Sequence, residues 1–212
     1  MILHDYWRSG AAYRVRIGLN LKGVAYRAVA HDLRTGAQSA PDYAALNPQR
    51  LVPAIETDGV VLTQSLAILE WLEEVHPDPP LLPGDANGRA TVRAMAATIA
   101  CDVHPLHNLR VLGQLRSEFG ADDAQVKAWM ARWMGEGLTA LEAFVTRHGA
   151  GFAYGETPTL ADICLVPQIY SAERFGIDLA PYPRAVEAAN TARALPAFEA
   201  AHPNRQPDAD PQ

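Results

Sequence analysis

Cysteine is scarce: Cys101 and Cys164 are the two in 212 residues. They lie far apart in apolar, helix-like surroundings, so both are expected to be buried thiols in a reducing cytoplasm instead of a disulfide. No run of about 18 apolar residues occurs, so no membrane-spanning helix is expected. Nor does a signal-peptide core precede the first strand-like residues, which points to a cytoplasmic location. Lys and Arg (18) are outnumbered by Asp and Glu (24), giving a net charge of −6 and a pI near 5.6. That balance argues against non-specific binding to nucleic acid or an acidic membrane. A Gly-rich phosphate loop, a nucleophile elbow and a paired-acid motif are also missing, which removes the commonest phosphoryl, acyl and glycosyl chemistries.

What remains is an ordinary globular composition, 49% hydrophobic and 20% charged, enough for one good core or two small ones. Residues 1–76 alternate between strand and helix. A strand over 1–6 precedes a helix over 12–22 that stops at Gly23, and a second strand covers 26–31. A loop and short helix follow over 38–46. Strands 54–57 and 60–62 pair across Asp58-Gly59, a dipeptide suited to a tight hairpin. Helix 65–75 places Leu66, Leu69, Leu72 and Val75 on one stripe. The order βαβαββα describes an α/β thioredoxin-like N-terminal domain over 1–80. Pro77-Asp78-Pro79-Pro80 opens a linker over 77–88. Beyond it, 89–212 reads as an all-α C-terminal domain with helices over 89–117, 122–147, 159–175, 183–192 and 195–201. Thr159-Leu160-Ala161-Asp162 is a capping box before an apolar run that should form a buried spine. The Pro-rich tail from Pro203 should be extended.

The chemistry gathers where the first strand gives way to the first helix, in Tyr6-Trp7-Arg8-Ser9-Gly10-Ala11-Ala12-Tyr13-Arg14-Val15-Arg16. A hydroxyl there sits beside unpaired backbone N–H groups and the positive end of a helix dipole, a place that stabilises an anion. Arg8 adjoins the junction; the other cations of the first 34 residues, Arg14, Arg16, Lys22, Arg27 and Arg34, read as a solvated basic face. Leu51-Val52-Pro53 marks a strand entry where Val52 can offer its backbone to a peptide-like ligand. Gln64-Ser65 joins a strand to a helix, with Ser65 as N-cap, and offers amide, hydroxyl and helix N–H donors to a carboxylate. Asp102, His104 and His107 invite a metal reading, but no further ligands cluster with them and Pro105 disturbs the helix. No metal is expected. Trp129 and Trp133 are read as packing residues.

These features together resemble the cytosolic glutathione transferase fold. Within it, Arg8-Ser9-Gly10-Ala11-Ala12-Tyr13-Arg14-Val15-Arg16-Ile17, Ala45-Leu46-Asn47-Pro48, Gln64-Ser65-Leu66-Ala67-Ile68, Leu165-Val166-Pro167-Gln168, Ala172-Glu173-Arg174-Phe175 and Arg205-Gln206-Pro207-Asp208 are similar to the zeta class. The resemblance implies a homodimer and bound glutathione, held by Ser9, Gly10, Ala11, Ala12, Tyr13, Arg14, Gln38, Val52, Gln64 and Ser65. It adds His104, Asn108, Leu109 and Arg110 from one long helix. Ser9 would donate to the sulfur, Gln38 reach the glycyl end, Val52 pair with the cysteinyl backbone, and Gln64 and Ser65 hold the γ-glutamyl carboxylate. Arg8 and Arg174, with Ser9, would be catalytic, the two guanidinium groups holding the carboxylates of a cis-enedione or cis-enone keto acid. The implied activity is glutathione-dependent isomerisation of maleylacetoacetate to fumarylacetoacetate in tyrosine and phenylalanine catabolism. Alternatives are a maleylpyruvate isomerase, a general transferase or dehalogenase, and a non-catalytic binding module. One departure from the family pattern is Gly10-Ala11, where a polar Ser-Cys pair is common; Ser9 is then the only side-chain donor for the sulfur.

Overall fold

The computed structural model describes residues 1–210. Four strands form one sheet: β1 (Ile2–Asp5), β2 (Arg27–Ala30), β3 (Ala54–Thr57) and β4 (Val60–Thr63), in spatial order β2-β1-β3-β4. β1 runs parallel to β2, with Ile2 opposite Arg27, and antiparallel to β3, while β3 and β4 form the hairpin. The helices are α1 (Gly10–Leu21), α2 (Pro41–Leu46), α3 (Ser65–Val75), α4 (Ala86–Ala97), α5 (Leu109–Ser117), α6 (Asp123–His148), α7 (Leu160–Phe175), α8 (Pro183–Arg193) and α9 (Pro196–Ala201). Two compact units result: Met1–Leu81 with the described residues from Ala194 on, and Leu82–Arg193. The described residues from Ala194 on, read from sequence as part of the helical domain, therefore pack with the sheet.

In the sheet unit, α1 and α3 share a core with the strands made of Leu3, Val15, Leu19, Ile55, Ile68 and Leu72. The two helices approach closely at Gly18, where a Cβ would lie 2.2 Å from Leu69 Cδ2. The buried residues of α3 are Ser65, Ile68, Leu69 and Leu72, whereas Val75 is 46% exposed. The expected stripe is thus rotated toward Ile68, because α1 presses on α3 through Gly18. Tyr43 of α2 joins Tyr6, Trp7, Val52 and Ala54 in another cluster. α9 covers α1: Asn20 Nδ2 donates to the Ala197 carbonyl at 3.0 Å. The tail is not extended. It turns through a 3-10 segment (Pro203–Arg205) and Gln206 Nε2 donates back to the His202 carbonyl at 2.9 Å.

The helical unit departs from expectation in its first helix. Residues 89–117 are not continuous: α4 widens into a π-helical turn (Thr98–Val103), tightens to 3-10 (His104–His107), and restarts as α5. Pro105 is the cause, since it has no N–H to donate and its ring opposes the preceding turn. Asn108 starts α5 as its N-cap, its Oδ1 accepting from Arg110 N at 3.0 Å and Val111 N at 3.2 Å. Trp129 Nε1 holds the Leu106 carbonyl at 2.7 Å. On this widened turn Cys101 is exposed, contrary to expectation, while Cys164 is buried in α7. Among the described residues no helix is long and apolar enough to cross a membrane.

α7 is buried from Leu160 through Ile169. Its capping box is also the polar anchor of the preceding loop. Asp162 Oδ2 accepts from Thr159 N (2.8 Å) and Thr159 Oγ1 (3.0 Å), and Oδ1 accepts from Ala153 N (2.7 Å). Burial pushes the Asp162 carboxyl from 3.8 up to about 6, against the pull of those donors. Between those values the folded chain holds a proton that the unfolded chain has lost. The contribution of Asp162 to stability therefore declines as pH rises from about 4 to about 6. Urea denaturation across this window should show the wild type losing stability relative to Asp162→Asn; parallel curves would contradict the assignment.

Candidate functional site

Ser9 is the N-cap of α1, in extended backbone (φ −68°, ψ 118°). Its Oγ accepts from Ala12 N at 3.2 Å and its carbonyl accepts from Tyr13 N at 2.8 Å. Those bonds use two of the first N–H groups of the helix. The amides of Gly10 and Ala11 have no protein partner among the described residues, and the Ser9 hydroxyl keeps its proton to donate. Two bare amides, a hydroxyl and a helix N-terminus at one point form an anion cradle. Arg8 stands beside it, with Cζ 5.2 Å from the Trp7 ring centroid. Ala12 and Tyr13 are buried at 0% and 1% exposure, so their side chains offer nothing to a ligand.

A second cradle opens at α3. Gln64, not Ser65, occupies the N-cap position, and it does so in left-handed backbone (φ 68°, ψ 116°) with no side-chain cap bond. Such a conformation is costly for a non-glycine residue and is retained where the surroundings enforce it. It makes Ser65 the first helical residue and leaves the Ser65, Leu66 and Ala67 amides without protein partners among the described residues. Ser65 is 6% exposed, and its Oγ accepts from Arg14 Nη1 at 3.3 Å. Arg14 thus links α1 to the start of α3 and places a cation beneath the second cradle. The Gln64 side chain donates from Nε2 to Gln49 Oε1 at 2.7 Å.

Val52 precedes Pro53 through a cis peptide bond. Its side chain is buried at 7% exposure, while its N–H and C=O have no protein partner among the described residues. The neighbouring Leu51 carbonyl accepts from Tyr43 Oη at 2.5 Å and Asn47 Nδ2 at 2.8 Å. Gln38 lies on a 3-10 turn (Ala37–Ser39) with Oε1 buried and unmatched by any donor among the described residues. The sheet unit therefore carries Ser9, Gly10, Ala11, Arg14, Gln38, Val52, Gln64 and Ser65 as a set of donors and open backbone groups. The remaining candidates belong to the helical unit. His104 lies on the 3-10 turn, its ring 5.2 Å from that of His107. Asn108 spends its side chain on capping α5, and Leu109 (57% exposed) and Arg110 begin that helix. These residues occupy a helix break and a helix start, not one continuous helix as expected. Arg174 is exposed in the last turn of α7, with Cζ 4.0 Å from the Phe175 centroid.

Residues 8–75 match the family model for the glutathione S-transferase N-terminal domain. A maleylpyruvate isomerase from a Ralstonia species is 51% identical, across 98% of this chain and 99% of its own. A solved holo maleylpyruvate isomerase, described as a bacterial glutathione S-transferase of the zeta class, superposes with a TM-score of 0.97 at 48% identity, covering 99% of this chain and 100% of its own. A maleylacetoacetate isomerase from Methylobacterium extorquens AM1, solved with malonate and GSH, gives 0.96 at 41% identity over 100% of both chains. The chain belongs to the zeta class of the glutathione S-transferases.

What the sequence concealed in this zeta-class chain is the scaffold of its first cradle. Arg14, Arg16 and Lys22, expected on a solvated basic face, are 2%, 0% and 9% exposed. Arg16 Nη1 donates to both carboxylate oxygens of Asp5 (2.7 and 2.9 Å), Nη2 donates to the Trp7 carbonyl (2.8 Å), and Nε donates to the Ala201 carbonyl (3.0 Å). Burial pushes the Asp5 carboxyl above the ordinary range, opposed chiefly by the Arg16 charge and its hydrogen bonds. The signal available in sequence was the pair Arg14 and Arg16 set into an otherwise apolar helix start, a pattern too dense in apolar neighbours for a wet face. Arg16→Met would remove this donor from two carbonyls and leave the buried Asp5 carboxylate without its cation, held by the Tyr6 amide. It should cost about 3–5 kcal/mol of unfolding free energy by urea titration; a loss below about 1 kcal/mol would show that the network is dispensable.

Proposed function

We propose that this chain is a glutathione-dependent cis–trans isomerase acting on maleylacetoacetate, cytoplasmic and homodimeric, in the breakdown of tyrosine and phenylalanine. The observation that carries this reading is the Ser9 hydroxyl at the start of α1, free to donate beside the bare Gly10 and Ala11 amides. The donor set fits glutathione. Val52 offers an open N–H and C=O for the cysteinyl backbone, Gln64, Ser65 and the α3 amides suit the γ-glutamyl carboxylate, and Gln38 suits the glycyl end. When bound, glutathione supplies a thiolate that adds reversibly to the conjugated double bond, so that rotation occurs about a single bond.

The chain's own residues supply the rest. Ser9 and the α1 terminus hold the sulfur as an anion, with Gly10 and Ala11 contributing open amides while the Ala12 and Tyr13 amides hold Ser9 in place. Arg8 offers positive charge to the oxygen on which negative charge accumulates. Arg14 keeps Ser65 in place. From the helical unit, Arg174 is assigned to a substrate carboxylate, with Arg110, His104, Asn108 and Leu109 as further ligand contacts. The Gly10-Ala11 departure leaves Ser9 to act without a neighbouring thiol or hydroxyl.

Maleylpyruvate is the second reading, and the 51% identity to a maleylpyruvate isomerase favours it. The purified chain, given a trace of glutathione, should convert one of these two keto acids to its trans isomer without consuming thiol. Net loss of thiol would instead identify a transferase or dehalogenase. Arg8→Ala should lower kcat by about 100-fold, and a change confined to KM would remove Arg8 from the chemical step.

A further inference from the structure

The last described residues fold back onto the start of the first helix. Asp208 Oδ2 accepts from the Trp7 amide at 3.0 Å, although the two residues are 201 positions apart. On the other side of the same residue, Arg16 Nη2 donates to the Trp7 carbonyl at 2.8 Å. Trp7 is thus held at both of its backbone polar groups, one from the core and one from the tail. Its indole belongs to the cluster of Tyr6, Tyr43, Val52 and Ala54, and Ala209 packs against that cluster. The Arg8 guanidinium lies over this indole.

The tail is fastened on either side of Asp208. Gln206 Nε2 donates to the Ala200 and His202 carbonyls at 3.0 and 2.9 Å. Asp210 receives Arg34 Nη1 on both carboxylate oxygens at 2.9 and 2.8 Å, and Arg34 is itself held by Asp32 through Nε and Nη2. Held at both flanks, the segment aims the Asp208 carboxylate at a backbone amide next to Arg8.

We propose that Asp208 is a positioning residue for Arg8. By fixing the Trp7 amide, with Ala209 packed against the cluster that holds the indole, it sets the direction in which Arg8 leaves the backbone. The inference rests on the isomerase reading, in which Arg8 acts on developing charge, and it adds the end of the chain to that site. A charge-assisted bond to a backbone amide is strong enough for the task, and Asn in its place keeps an oxygen acceptor.

The test uses the full chain with glutathione and compares Asp208→Ala, Asp208→Asn, Arg8→Ala and the double variant Arg8→Ala/Asp208→Ala. Losing the bond in Asp208→Ala should lower kcat about tenfold while the KM for glutathione stays within about twofold. Asp208→Asn should recover most of that loss. The double variant should be no slower than Arg8→Ala alone, because the two residues act through one another. Amide hydrogen exchange gives a reading that does not depend on turnover: Trp7 and Arg8 should exchange faster in Asp208→Ala while α3 is unchanged. Multiplied losses in the double variant, or unaltered exchange at Trp7, would overturn the proposal. Were the wild type to isomerise neither keto acid, the functional reading would fall on its own, and the exchange at Trp7 would still decide whether the tail positions the junction.

Discussion

One buried guanidinium organises the part of this molecule on which everything else relies. Arg16 is wholly enclosed, yet it satisfies Asp5, the Trp7 carbonyl and the Ala201 carbonyl at once. It thereby joins the end of β1, the junction loop and α9 to a single point on α1. A charge in such a place is tolerated only when it is paired and hydrogen-bonded. The consequence is a junction whose backbone cannot drift, so that the Ser9 hydroxyl and the Gly10 and Ala11 amides converge without being consumed by the fold. Pre-set donors of this kind act on a developing or bound anion with little reorganisation.

The energies are of the right order. Lowering a thiol by two pKa units takes about 2.7 kcal/mol of extra thiolate stabilisation. A hydroxyl bond to a charged acceptor contributes about 1.5–3 kcal/mol, and a helix terminus about 0.3–1 kcal/mol. Together they reach the requirement without a second polar side chain, which is how a site with Gly10-Ala11 beside its serine can still work. The second cradle follows the same logic at α3, where the left-handed backbone of Gln64 leaves three amides open and Arg14 supplies charge from below.

Much of this was legible in the amino-acid order, because short-range rules govern it. The hairpin across Asp58-Gly59, the span of α3, the Thr159–Asp162 capping box and the location of Ser9 at a helix start all depend on a few neighbouring residues. The zeta-class resemblance carried the architecture beyond those local signals, and the solved relatives agree with it. What escaped was set by distant contacts. Arg14, Arg16 and Lys22 look solvated until α9, Asp5, Ser65 and Glu73 are brought to them. The break between α4 and α5 arises from one proline acting within a packed helix, and Cys101 is exposed because it faces away from the buried Val92, Ala96, Ile99 and Val103. Ser65 was displaced from the cap by a backbone conformation that no side-chain preference of Gln64 foretells. The tail looked extended because its partners, Trp7 and Arg34, lie at the opposite end of the chain.

The central claim is that the start of α1 holds a sulfur anion. An ultraviolet titration of the thiolate, with glutathione bound to the intact protein, tests it most directly. The account predicts ionisation about two units below the free thiol's value of about 8.5, with Ser9→Ala returning most of the way toward that value. A bound thiol that ionises near 8.5 in the wild type, or one that ignores the loss of the Ser9 hydroxyl, would contradict it.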